Sequence, residues 1–400
     1  MELTPVAEAT RIILENTLDF GNEAVPFGQS LRRVLAAPLL ADRDFPPFDR
    51  VTMDGIAIRW ESYAAGHRAF VIESTQTAGD TRHTLQNPNA CIEVMTGAAL
   101  PVGTDTIIKY EDLRLENGIA NVQAQVRANQ NVHFQGEDRT AGKTIIATNT
   151  VIGPPEIAVA ASVGAVTVEV KKLPKVVIIT SGDELVAVHQ DPLPHQIRSS
   201  NVHCIAALLR FYGIEATFIH IPDELTTTQA TIEAALTAND VLILCGGVSQ
   251  GKKDFIPQAL SLAGVQRLFH KVSQQPGKPF WFGRKANKMV FALPGNPVSS
   301  FLCARRYFIP WLRQSLGLAP MDFVYAALSH SYVYTSPLTY FLQVQLYQDG
   351  ATMMAKPITG HGSGDFANLV DTQGFVELPK EKNEFLEKEV LPVWRFDYVF

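Results

Sequence analysis

Short runs of apolar residues, each closed by glycine, proline or an acidic residue, set the organisation of this chain. The clearest is Val-Leu-Ile-Leu-Cys at 241–245, unbroken by any polar residue and followed by Gly246 and Gly247. A run of this length without alternation predicts a strand buried on both faces of a parallel sheet. Comparable runs at 175–180, 214–220 and 290–293 are interleaved with helical patterns. One of these follows the caps Ser199, Ser200 and Asn201, carries Val202, Ile205, Leu208 and Leu209 on one face and stops at Gly213; another covers 226–238. Strand and helix taking turns predict a three-layer α/β domain with a mostly parallel sheet, to which 265–272 and 280–282 add strands and 254–263 a helix.

The pattern changes on either side of that region. Near the start, Val6, Ala9, Ile13 and Leu18 recur at helical spacing after Thr4-Pro5, and a second helix is expected over 30–37. From 41 onward, strand-sized runs at 70–74, 90–95, 106–110 and 122–126 predict a β-rich domain, with Asp54-Gly55 as a turn between apolar runs. A helix over 155–163 should then pack back on the first segment, because an inserted domain leaves and re-enters its host at neighbouring points. Beyond 318, short runs at 325–334, 338–346, 353–357, 375–379 and 390–394 predict a small β domain or barrel, and the charged stretch 380–389 a solvated loop.

The expected fold class is therefore α/β and multidomain. Residues 1–40 with 139–173 are expected to form a linking domain, 41–138 the inserted β-rich domain, 174–318 the α/β domain and 319–400 a small C-terminal β-barrel-like domain.

Composition narrows the functional classes. With 400 residues, 46% hydrophobic and 18% charged, the chain is globular and too long for one core. A formal net charge of −6 without a basic stripe argues against nucleic-acid binding. Cys91, Cys204, Cys245 and Cys303 show no C-x-x-C spacing, so a reducing, cytoplasmic setting is expected in place of a disulfide or zinc framework. The N-terminal pattern is amphipathic and unlike a signal peptide, and no apolar run is long enough to span a bilayer, so no membrane partner is expected.

Candidate chemistry gathers at the strand ends. Gly246, Gly247 and Gly251 let the backbone approach a ligand and aim N–H groups at an anion, Ser249 adds a hydroxyl, and Asp254 is placed to hold a divalent cation beside a phosphate. Gly246, Gly251 and Lys252 almost spell a P-loop, but Lys253 stands where that loop needs a Ser or Thr for magnesium. A second loop, Pro294-Gly295-Asn296-Pro297, follows another buried run and opens a helix whose N–H groups can face an anion. Ligands of such sheets bind at the carboxyl ends of the strands, where Asp183, Glu184 and Asp223 also fall.

Seven short motifs in one order carry a resemblance. They are Phe-Pro-Pro-Phe-Asp with Met-Asp-Gly (45–49, 53–55), Met-Thr-Gly-Ala (95–98), Gly-Glu-Asp (136–138), Ser-Gly-Asp-Glu-Leu (181–185), Gly-Gly-Val-Ser (246–249), Pro-Gly-Lys-Pro (276–279) and Leu-Pro-Gly-Asn-Pro (293–297). Over nearly its whole length the chain resembles the molybdopterin molybdenumtransferase family. The resemblance implies an elongated four-domain homodimer with shared active sites, which binds adenylylated molybdopterin, inserts molybdate at its dithiolene and releases AMP with magnesium. It implies activity-linked positions at Asp54, Thr96, Asp138, Glu184, Asp223, Asp254 and Lys271, with Asp254 and Glu184 as the metal ligands. It further implies ligand contacts at Ser181, Gly182, Asp183, Gly246, Gly247, Ser249, Gly251, Lys278, Pro294, Gly295 and Asn296. The adenylyltransferase that prepares the substrate and the molybdoenzyme apoproteins that receive the product are the implied pathway partners.

The chain departs from the family at Ile56, where Tyr is common, at Gln275, where a Lys often precedes Pro-Gly-Lys-Pro, at Thr180-Ser181 and at Thr372-Gln373. Two other readings compete. An adenylyltransferase of the same α/β fold would use only the central domain and favour a Gly-Gly-Thr-Gly loop. A non-enzymatic scaffold derived from the family would have no need of Asp54, Asp138, Glu184 and Asp254 together.

Overall fold

The computed structural model describes residues 3–248, 254–321, 323–358, 360 and 362–396. Its centre is a six-stranded sheet in the order Thr217–Ile221, Val176–Ser181, Val241–Cys245, Lys288–Leu293, Trp281–Lys285, Gln266–His270. The first four strands are parallel, and the last two are antiparallel, so the parallel part is four of six strands. Every residue of Val176–Ser181 and Val241–Cys245 is buried. Successive side chains point to opposite faces of a strand. Accordingly Ile178, Ile243 and Phe291 pack with the helices Asn201–Arg210 and Ile309–Ser315 on one face, while Val177, Leu242, Leu244 and Val290 pack with Leu225–Ala238 and Ile256–Leu262 on the other. Polarity on neither face is why these strands read as unbroken apolar runs.

The first helix, Val6–Glu15, buries Val6, Ala9 and Ile13, as its spacing requires. The helix expected over 30–37 does not form. Arg32 adopts φ 65, which ends any helix, and Val34 and Leu35 instead bridge to Val151 and Val170. The strand expected at 122–126 lies earlier, at Ile119–Val122: its ladder with Ala69–Gln76 ends at Asn121 opposite Ala69, and Val122 pairs only with Leu113 on the other side. Asp54-Gly55 is not a hairpin turn. Gly55 opens the buried strand Gly55–Ile58, held between Ala90–Val94 and Thr106–Lys109. The helix expected from 254 starts at Ile256.

Asn22–Pro26 pairs with Thr167–Lys171 and Leu39–Leu40 with Thr144–Ile146, and Ala41 and Gly142–Lys143 exchange backbone hydrogen bonds at 2.8 and 2.9 Å. The chain thus enters and leaves the β-rich region at adjacent points. The C-terminal strands close on themselves in the order Thr339–Asp349, Thr352–Pro357, Val324–Leu328, Val390–Arg395, Gly374–Leu378 and back to Thr339–Asp349, a five-stranded barrel. A two-residue strand from outside, Gln274–Gln275, adds in parallel to Thr339–Tyr340. Within 380–389, Phe385 is fully buried, so that stretch is anchored and not merely solvated.

Buried arginines fasten the barrel. The helix from Pro297 passes through one π turn, Ala304–Phe308, and there Arg305 donates to the Arg395 carbonyl at 2.6 Å. Arg306, 5% exposed, pairs with Glu377 at 3.0 Å, donates to Thr10 Oγ1 at 3.0 Å and lies 4.2 Å from the Trp394 ring. A buried charge of this kind is tolerated because each face has a partner. No helix among the described residues is long and apolar enough to cross a membrane.

Candidate active site

The carboxyl ends of the parallel strands open into a cleft of about 870 Å³. Two glycine loops form its floor. Gly246 and Gly247 follow the central strand with φ 95 and 61, and a Cβ on Gly295 of the neighbouring loop would lie 3.5 Å from the Gly246 Cα, so the loops touch through their backbones. At Gly247 a Cβ would meet Ser181 Oγ at 2.8 Å and Ile256 Cδ1 at 2.9 Å, in a conformation that side chains rarely adopt. Gly247→Val is therefore expected to lower thermal stability together with ligand binding. A melting curve measured beside a binding titration checks this, and an unshifted melt would show that the loop can move aside.

Acidic groups line the same cleft. Glu184 and Asp223 stand at the ends of neighbouring strands and Asp254 precedes the helix Ile256–Leu262. The Glu184 carboxylate folds over Gly182, whose added Cβ would lie 2.6 Å from it. Asp183 takes no part in the lining; its Oδ1 accepts the Asp223 N–H at 3.2 Å and so fixes the turn that presents Asp223. Lys278 lines the cleft, whereas Lys271 does not: at φ 71 it exchanges backbone bonds with Thr4 and Phe280. Next to it, burial holds the His270 imidazole below its ordinary pKa, and one ring nitrogen lies 3.0 Å from the Val248 carbonyl. Ser249 and Gly251 lie outside the described residues.

The second loop differs from the simple picture of open helix N–H groups. Asn296 makes no side-chain cap; its amide donates to Ser363 Oγ at 2.6 Å. Pro297 has no N–H, and the Val298 N–H donates to the Ser363 carbonyl at 3.2 Å. The barrel therefore reaches onto this helix start, and Tyr340, Gln343, Ser363 and the glycines at 360, 362 and 364 line the cleft's outer wall. Gln275 completes that wall, with its Oε1 accepting from Tyr334 at 3.0 Å. Asn201 closes the other side by donating to the Gly295 carbonyl at 2.7 Å. Of these, sequence reading singled out Asn296 as a ligand contact and Gln275 as a departure from the family, and it missed Tyr340, Gln343, Ser363 and the part that Asn201 plays here. The glycine-rich run at 360–364, outside any strand pattern, was the one available signal.

Asp54, Thr96 and Asp138 do not line this cleft. They lie in the β-rich region, where the Thr96 backbone N–H and hydroxyl both donate to Asp54 Oδ1 at 2.6 Å. Those two bonds, the hydroxyl's first, hold the Asp54 carboxyl below the usual carboxylate range. Thr96 is thus occupied in holding Asp54. Beside them burial, and then a bond to Glu93, pushes the Tyr110 phenol up to about 12.

Comparison with known proteins gives this geometry its frame. Residues 4–164 match the MoeA N-terminal region (domain I and II), and residues 177–314 match a probable molybdopterin binding domain. A molybdopterin molybdenumtransferase of Synechocystis is 36% identical over 395 residues, 97% of this chain and 99% of the relative. This chain belongs to the molybdopterin molybdenumtransferase family. A second such transferase, from Nostoc, is 31% identical over 360 residues, 87% of this chain and 82% of the relative. The crystal structure of a molybdopterin biosynthesis protein of Pyrococcus horikoshii superposes with a TM-score of 0.85 at 27% identity, each chain covered completely. Within this family frame the described cleft belongs mostly to the matched molybdopterin-binding segment, while its outer wall comes from the barrel that follows it.

Proposed function

We propose that the chain inserts molybdate into adenylylated molybdopterin and releases AMP. The observation that carries this reading is the cleft itself: two touching glycine loops, three carboxylates and Lys278 at the ends of parallel strands, in a chain of this family. The close backbone approach that the glycines permit suits a phosphoanhydride, and Lys278 adds a positive charge for an oxyanion. The adenylyltransferase reading is disfavoured because the relatives match over the whole chain and carry the transferase name.

Magnesium fits the oxygen donors present. Magnesium is commonly held by one or two carboxylates together with substrate phosphate, and the cleft offers carboxylates of that kind. Glu184 and Asp254 are the residues that would hold it. Bound there, it would neutralise charge building on the phosphoanhydride. The chain's own groups then bind and orient: the glycine loops seat the phosphates, Lys278 and Gln275 face the oxyanion, and the barrel wall limits access of water. The purified protein is expected to convert adenylylated molybdopterin and molybdate into AMP and active cofactor; no AMP from a folded preparation overturns the reading. A soluble, cytoplasmic setting and delivery to molybdoenzyme apoproteins belong to the same proposal.

The reading also assigns Asp54, Thr96 and Asp138 to the cleft of a second copy, giving a homodimer with shared sites. They take no part in the lining of their own chain's cleft, which motivates the assignment, and exposed Phe48, Met53 and Phe134 near them in the chain offer apolar surface for that contact. Asp54→Ala and Asp254→Asn homodimers should each be nearly inactive. A mixed dimer isolated with two tags should regain about half the normal rate, since both lesions then share one composite site and the other is intact. A mixed dimer as inactive as its parents would place both aspartates within one chain's site.

A further inference from the structure

The strand Arg50–Val51 pairs antiparallel with Val132–His133, with Arg50 opposite His133. Side chains opposite one another on a ladder share a face. Here Arg50 Nη2 lies 3.0 Å from His133 Nδ1, and the other ring nitrogen, Nε2, lies 3.1 Å from Asp138 Oδ1. A guanidinium offers only N–H donors, so Nδ1 must accept and the ring carries its proton on Nε2, where it donates to the carboxylate. An imidazolium would set an N–H against the guanidinium.

The other groups around the ring agree with this assignment. Glu137 Oε2 stands 4.0 Å from Nε2 and is itself engaged by the Phe134 N–H at 3.1 Å. The Asp138 backbone is pinned at both ends, its N–H donating to the Phe45 carbonyl at 2.9 Å and its carbonyl accepting from Arg139 Nη1 at 2.7 Å. With the backbone fixed, the remaining freedom of Asp138 is the rotation of its carboxylate. The His133 side chain is 22% exposed and that of Asp138 60%, so a sheltered ring aims an outward-facing acid.

We infer that His133 is a positioning residue for the transfer reaction: Arg50 fixes its tautomer, and its Nε2–H orients the Asp138 carboxylate. The inference deepens the assignment of Asp138 to the shared site and rests on it. The arrangement parallels Thr96 and Asp54, where donors from a neighbouring segment likewise take one carboxylate oxygen and leave the other for a ligand.

Two measurements on the full-length protein test it. Nitrogen-15 spectra of histidine-labelled protein, with His133 assigned by the signal lost in His133→Gln, should show the Nε2–H tautomer, and Arg50→Met should mix the two tautomers. In steady-state AMP release, His133→Leu should lower kcat about tenfold with KM and melting temperature little changed, as for the loss of a group that orients a reacting residue. His133→Gln keeps one acceptor and one donor on the same side chain and should recover most of the rate. An Nδ1–H ring or an imidazolium overturns the role of Arg50. A His133→Leu enzyme at the normal kcat beside an impaired Asp138→Asn enzyme overturns positioning by His133. Asp138→Asn at the normal rate removes Asp138 from the site, and the inference falls with it.

Discussion

Asp254→Asn should slow AMP release at least ~100-fold at saturating magnesium, while the melting temperature stays near that of the parent protein. The side chain stands at the cleft, just ahead of the helix Ile256–Leu262, and contributes nothing to the apolar clusters on either face of the sheet. An amide of the same shape can therefore be accommodated. What it cannot do is supply the negative charge that a cation at a phosphoanhydride needs, and loss of several kcal/mol of charge stabilisation in the transition state corresponds to rates lower by two orders of magnitude or more. Glu184 cannot take over the role alone, because its carboxylate is folded back over Gly182 at the end of a different strand. Turnover of Asp254→Asn within a few-fold of normal, at any magnesium concentration, would remove Asp254 from this role.

Gly55→Ala should be the most destabilising single-methyl change in the β-rich region. A Cβ built on Gly55 falls 1.9 Å from the Ile108 carbonyl oxygen and 2.8 Å from the Lys109 Cα, both backbone atoms of the neighbouring strand. Neither can rotate away, so relief requires the strand Thr106–Lys109 to shift, and with it the Tyr110 N–H that donates to the Asp54 carbonyl. Overpacking against rigid backbone costs about 3 kcal/mol or more. Urea unfolding followed by a local probe should show the midpoint falling accordingly, and the same variant should lose activity because Asp54, next to Gly55, is tied through its carbonyl to the Tyr110 N–H at the end of the displaced strand. An unchanged midpoint would mean that the two strands sit farther apart than this packing requires.

Gly55 also shows where sequence reading reaches its limit. Asp-Gly between apolar runs is a good hairpin signal, yet the same two letters serve a strand whose neighbour approaches too closely for any side chain. Close approach is a property of two segments and leaves no mark on one. The α/β sheet was legible for the opposite reason: a strand buried on both faces must be apolar throughout, and Val241–Cys245 obeys that rule residue by residue. The glycine loops and the carboxylates at the strand ends followed from the same run. The outer wall did not. Gln274–Gln275 is a two-residue ladder of polar side chains, and Gln274 is fully buried only because Tyr307, Gly277 and Cys303 satisfy its amide. The helix expected over 30–37 failed because Val34 and Leu35 have tertiary bridging partners that local spacing does not reveal.

The barrel's contact with the second glycine loop has a consequence for how the protein comes into being. A ribosome delivers the chain from its N-terminus, and domains fold largely as they emerge. Asn296 leaves the ribosome 67 residues before the Ser363 that it will hold, and Gln275 leaves it 59 residues before the Tyr334 that donates to it. For that interval the sheet and both glycine loops exist as an open ledge without its far wall. Newly made molecules thus pass through a stage that has the phosphate floor but no enclosure, and the buried arginines Arg305 and Arg306 wait for Arg395 and Glu377, the last-made partners, to lock the enclosure shut.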